Sequence, residues 1–188
     1  MYNRRNAIGI IAVMAACAKE ALAHTPYGLW DAFRKQNLQI LTSHEDYTGD
    51  DLAEIWVATL RKELPLSRAM VSRARNFSRV ASLLKTDQSK LAVLSHKQAR
   101  DMFSGAPPFE LFAPMPIQVL LDDGKYFLIA RESLPKSHAF VITAALMHES
   151  RDLKFLKPTK ATYGIPLHPG SQAYFSGEEV PLDAVDEK

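Results

Sequence analysis

Eight residues carry most of the chemistry this chain could do: Ser43, His44, Tyr47, Thr48, Arg75, Asn76, Ser95 and His96. They fall in three short polar segments, each placed between an apolar run and an amphipathic one. Arg75 can grip a carboxylate or phosphate through two parallel N–H bonds. Thr48 and Asn76 stand where helices should begin, and a helix start presents unpaired N–H groups and the positive end of a dipole. Tyr47 offers a ring to stack on a ligand, while Ser95 and His96 close the third side. The expected ligand is a small organic anion or zwitterion, bound without covalent chemistry. Glu45 and Asp46 oppose an anion, so a cation is also compatible with the segment. Each residue has a plain structural reading as well, with Thr48 and Asn76 acting only as caps and Arg75 solvated.

Catalytic and metal readings find less support. His44, His96, His138, His148 and His168 lack the one-face spacing of a helical metal motif. His44-Glu45-Asp46 contains ligand types, but neighbours in a turn seldom point together. His24 could bind copper only if it became the amino terminus. Ser43-His44, Ser95-His96 and Ser137-His138 are adjacent pairs, whereas a nucleophile and its base meet through folding. No nucleophile elbow, phosphate loop or dinucleotide fingerprint occurs. The chain therefore reads as a non-enzyme with no catalytic residue, resident metal or cofactor.

The elements that must position these residues follow from periodicity. Apolar runs at 38–43, 68–74 and 91–94 read as strands. Leu52, Ile55, Trp56, Leu60 and Leu64 recur at helical steps up to Pro65, and Phe77, Val80, Ala81, Leu83 and Leu84 mark a second helix. A third helix is expected over 96–103 and a fourth over 138–148. Strands separated by helices require crossovers, hence a parallel sheet. Ligands then sit beyond the carboxyl ends of the strands, where the three polar segments converge. Runs at 117–121 and 126–130 flank Asp122-Asp123-Gly124, a hairpin signal, since Gly accepts positive φ. Prolines 107, 108, 114 and 116 argue against helix over 106–116. The fold class expected is α/β, one doubly wound, mostly parallel sheet.

Composition bounds the function. The chain has 188 residues, 47% of them hydrophobic, enough for one domain with a real core. Residues 1–23 read as an export signal: Arg4-Arg5, an apolar core from Ala7 to Ala16, and Ala21-Leu22-Ala23 for cleavage. Removing that segment leaves basic and acidic residues equal in number, which gives no support to nucleic-acid binding. The expected location is periplasmic, with lipid attachment at Cys17 as the less favoured variant. Cys17 is the sole cysteine, so the mature chain has no thiol chemistry. Residues 24–36 read as a lead-in helix, 24–175 as one domain, and 176–188 as an acidic flexible tail. The basic stretch Arg61, Lys62, Arg68, Arg73, Arg75 and Arg79 reads mainly as a solvated face.

Several segments in order resemble a known family. Tyr47-Thr48-Gly49-Asp50-Asp51-Leu52, the Leu64-Pro65 helix end and Leu91-Ala92-Val93-Leu94 resemble the first lobe of a type II periplasmic binding protein. Gly164-Ile165-Pro166-Leu167-His168-Pro169-Gly170 is similar to the C-terminal signature of the TAXI receptors, solute-binding subunits associated with TRAP transporters. The resemblance implies a solute-binding protein of one lobe, since the length leaves no room for a second. Tyr47 is the one site residue it carries over directly. The partners it implies are a small molecule and membrane transporter subunits. An accessory protein that uses the lobe to contact a periplasmic protein, or itself as a homodimer, is the alternative.

Overall fold

The computed structural model describes residues 37–148, 155, 161–162, 164–178 and 180. Residues 1–23, read as an export signal, 24–36, read as a lead-in helix, and residues 179 and 181–188 of the expected tail over 176–188 lie outside the described residues. The elements run β1 (Gln39–Ser43), α1 (Tyr47–Glu63), β2 (Met70–Ala74), α2 (Phe77–Lys85), β3 (Leu91–Ser95), α3 (His96–Ser104), β4 (Ile117–Asp122), β5 (Tyr126–Arg131) and α4 (Lys136–His148). A two-strand ribbon, β6 (Ala161–Thr162) and β7 (Ile165–Pro166), precedes α5 (Pro169–Ser176).

The five-stranded sheet has the order β2-β1-β3-β5-β4. β1 pairs in parallel with both β2 and β3, as the crossover helices require. β5 pairs antiparallel with β3 and with β4, so every strand but β5 points the same way. The sheet is therefore mixed, and the α/β class stands. Order reverses at β1, from which the chain steps out to β2 on one side and to β3 on the other.

Alternation along the strands feeds two cores. Ile40, Leu91, Val93, Leu128 and Ala130 face Trp56, Val57 and Leu60 of α1 and Ile142 and Leu146 of α4. Leu41, Ala92, Leu94, Phe127 and Ile129 face Val80, Ala81 and Leu84 of α2 and Ala99 and Met102 of α3. Helices on both faces explain why β3 is apolar from Leu91 to Leu94. Trp56, fully buried, is core as expected.

Two sequence expectations change in detail. One 3-10 turn, Glu110–Phe112, lies between the proline pairs. It fits there because none of its own residues is proline. The Pro-Leu-His-Pro-Gly stretch has a structural task. His168 donates its backbone N–H to Val119 (2.8 Å) while Leu167 bridges the same residue, which covers the outer edge of β4. Its Nδ1 accepts the Gly170 N–H at 3.1 Å, capping α5, and its Nε2 donates to the Leu134 carbonyl at 3.0 Å.

Candidate functional site

The carboxyl ends of β1, β2 and β3 lie side by side, with β1 in the middle. Ser43 stands opposite Ala74 in register, and the His44 N–H donates to the Ala74 carbonyl at 2.9 Å. The turn after β1 is set locally. The Ser43 hydroxyl accepts the Glu45 N–H (3.2 Å), and its carbonyl accepts the Asp46 N–H (3.0 Å). The three polar segments are thus brought to one end of the sheet.

The helix starts are occupied by the chain's own side chains. Asp46, not Thr48, caps α1: its carboxylate accepts the Gly49 N–H at 2.9 Å, and the helix already begins at Tyr47. A carboxylate holds this place better than a hydroxyl because its full charge opposes the dipole. Asn76 does cap α2, accepting from the Arg79 N–H at 2.9 Å. The Glu45 carboxylate reaches across to accept the Phe77 N–H at 3.1 Å. Ser95 caps α3 in a reciprocal box with Gln98. The expectation of free N–H groups awaiting an anion is corrected on this point: Glu45 and Asp46 already satisfy N–H groups there. The two neighbouring acids also point to different helices, so His44-Glu45-Asp46 does not act as one cluster.

Two pairs invisible to local reading build the floor. The Tyr126 hydroxyl donates to Asp46 at 2.8 Å, joining β5 to the β1 loop across the end of β3. Gly49 permits this, because a Cβ there would lie 3.1 Å from the Tyr126 ring and 2.9 Å from Asp46. Burial and the Asp46 carboxylate push the Tyr126 phenol up to about 12, against a smaller opposing effect of Thr48. Nearby, His96 Nε2 meets the buried Asp122 carboxylate at 2.8 Å, with the imidazole on the Phe127 ring at a centroid distance of 4.2 Å. A register shift between Val119 and Leu121 sets Asp122 opposite Phe127. Asp122 also accepts the Gly124 N–H, so it serves the expected hairpin turn and His96 together.

His44, Tyr47, Thr48 and Arg75 are exposed, Tyr47 by 82%. Arg75 makes no ion pair or hydrogen bond among the described residues. Arg73, by contrast, is held by Asp50 at 2.9 Å and Glu54 at 2.5 Å, which keep its guanidinium charged. Arg61 donates to the Ala69 carbonyl at 2.7 Å. The Ser95 hydroxyl engages Gln98 at 2.5 Å, so its adjacency to His96 does not form a nucleophile–base pair. His138 and His168 lie in the body of the fold, and burial lowers both; His168 falls to about 4, partly offset by its bond to Leu134. Neither histidine belongs to the strand-end face.

The opposite end of the sheet holds a cavity of about 620 Å³, bounded by the starts of β1 and β3 and the β5–α4 loop. Nothing in the sequence marked it, because Gln39, Gln88 and Ser133 look like ordinary surface residues. Comparison with family models, curated proteins and solved structures gives no match to this chain.

Proposed function

We propose that this chain is an exported, non-catalytic solute-binding-like protein of the TAXI type, a single lobe that presents its strand-end face to a small molecule. The supporting observation is the meeting of three loops from adjacent strands, which leaves Tyr47, His44 and Arg75 exposed together at one end of the sheet. The seated carboxylates of Glu45 and Asp46 narrow the ligand class. A zwitterion fits better than a simple anion: Arg75 would take its carboxylate, and the acidic turn would tolerate its ammonium group. Transporter membrane subunits are the partners that this reading implies.

Calorimetry of the mature chain against amino acids, dicarboxylates and polyamines tests the proposal. Saturable binding of an amino acid that weakens in Arg75→Ala supports it. Silence across the panel rejects solute binding.

A second reading has its own observation. Tyr47 is exposed over most of its surface, and tyrosine and arginine are common anchors of protein contacts. In that reading the lobe is an accessory protein whose strand-end face binds a periplasmic partner or a second copy. Sedimentation of the chain alone and crosslinking in periplasmic extract, each compared with Tyr47→Ala, separate it from the first.

A further inference from the structure

The cavity at the amino-terminal ends of β1 and β3 lies at the far end of the sheet from the strand-end face. Its volume, about 620 Å³, falls within the span of small-molecule sites. Leu38 and Leu134, both buried, form an apolar floor. Around them stand the exposed amides of Gln39 and Gln88, with Ser89, whose hydroxyl donates to the Leu91 carbonyl at 3.2 Å and keeps its lone pairs as acceptors.

The charged side chains that line the cavity, Asp87 and Lys90, are already matched to each other. Asp87 accepts from Lys90 at 2.5 Å and from Ser133 at 2.7 Å, and Lys90 also donates to Ser133 at 2.9 Å. Arg131 makes an ion contact with Asp87 at 3.0 Å. It also donates to the Leu84 and Lys85 carbonyls at the end of α2, where a helix carries its partial negative charge. Burial pushes the Asp87 carboxyl up, but Lys90, Ser133 and Arg131 outweigh it and leave the group below its ordinary value. The backbone supports the arrangement. Asp87 takes a left-handed φ of 61°, which turns the chain out of α2 and sets Gln88 and Ser89 on the cavity wall.

We infer that this cavity is a binding site for a small uncharged molecule rich in hydroxyl groups, of the size of a mono- or disaccharide. Asp87, Lys90 and Ser133 already satisfy one another at the rim, so an ionic ligand would exchange one exposed partner for another and gain little by it. A polyol needs no such exchange, because amides and hydroxyls both donate and accept. The apolar floor suits the C–H face of a sugar ring. This inference does not depend on the strand-end reading.

Amide NMR of the full chain tests it, with glucose, trehalose and myo-inositol as neutral probes and citrate as the charged one. Saturable shifts confined to residues 37–39, 87–90 and 133–138 with a neutral probe are expected. The double variant Gln39→Leu/Gln88→Leu, both positions being exposed, should keep its melting temperature and bind about tenfold more weakly through the loss of two neutral hydrogen bonds. The proposal is overturned by no shifts with any neutral probe, by citrate binding in their place, or by unweakened binding in the double variant. Shifts only at 43–48, 74–77 and 95–97 would overturn it too, while leaving the strand-end site in force.

Discussion

The carboxylate of Glu45, at the end of β1, accepts the backbone N–H of Phe77 at the start of α2, across 3.1 Å. One loop thus places its own negative charge where a bound anion would otherwise sit. Glu45→Gln should lower stability only slightly, because the contact is exposed. The same variant should gain a phosphate-dependent rise in melting temperature that the parent lacks. Thermal melts in graded phosphate at constant ionic strength measure this; equal responses would show that Glu45 does not block the helix start.

Arg75 tests the ligand's carboxylate. Arg75→Ala should weaken a zwitterionic ligand by about 1.5–3 kcal/mol, the range for a charged hydrogen bond, with no change in melting. Tyr47→Ala should weaken the same ligand through lost stacking. If calorimetry finds both variants binding as the parent does, the solute site is not on this face.

His168 should make the fold acid-sensitive. Its folded value of about 4 lies below the ordinary 6.5, so the unfolded chain binds a proton more readily. The stabilising contribution is complete above about pH 6.5 and declines as pH falls toward 4, amounting to about 3 kcal/mol in total. His168→Ala should cost about 2–4 kcal/mol by leaving Leu134 and Gly170 unpartnered, and should flatten that decline. Urea titrations at several pH values provide the comparison. An unchanged slope in the variant would assign the acid sensitivity to other groups.

Tyr126 governs the alkaline side. Its raised value means that the unfolded chain loses the phenolic proton first, so stability declines as pH rises from 10 toward 12. Tyr126→Phe should remove this decline and cost about 1 kcal/mol at neutral pH for the lost bond to Asp46. Ultraviolet titration of the folded parent and variant identifies the late-ionising phenol.

Gly49→Ala places a methyl group against the Tyr126 ring, where only a small movement separates accommodation from a clash. We expect about 1–3 kcal/mol of destabilisation, the usual cost of overpacking, despite the better helix propensity of alanine. A double-mutant cycle with Tyr126→Leu, which removes the ring, should show coupling between the two sites. Additive effects would mean that ring and glycine do not meet in solution.

Local residue patterns were enough for the α/β alternation, the three parallel strands and the hairpin at Asp122-Asp123-Gly124. These depend on apolar periods and turn residues within a few positions of one another. The sequence also identified Asn76 as a cap and the convergence of Ser43, Arg75 and Ser95 segments, because parallel crossovers return every strand to the same end. Tertiary structure alone decided where the charges went. Glu45 meets Phe77 across 32 positions, His96 meets Asp122 across 26, and Asp46 meets Tyr126 across 80. No local pattern encodes such pairs, since each depends on how the elements pack, and the His96–Asp122 pair also on the shifted register of β4. The antiparallel insertion of β5 between β3 and β4, which sets Tyr126 above the β1 loop, was likewise decided by packing: it lets the hairpin bury one face under α1 and α4 and the other under α2 and α3.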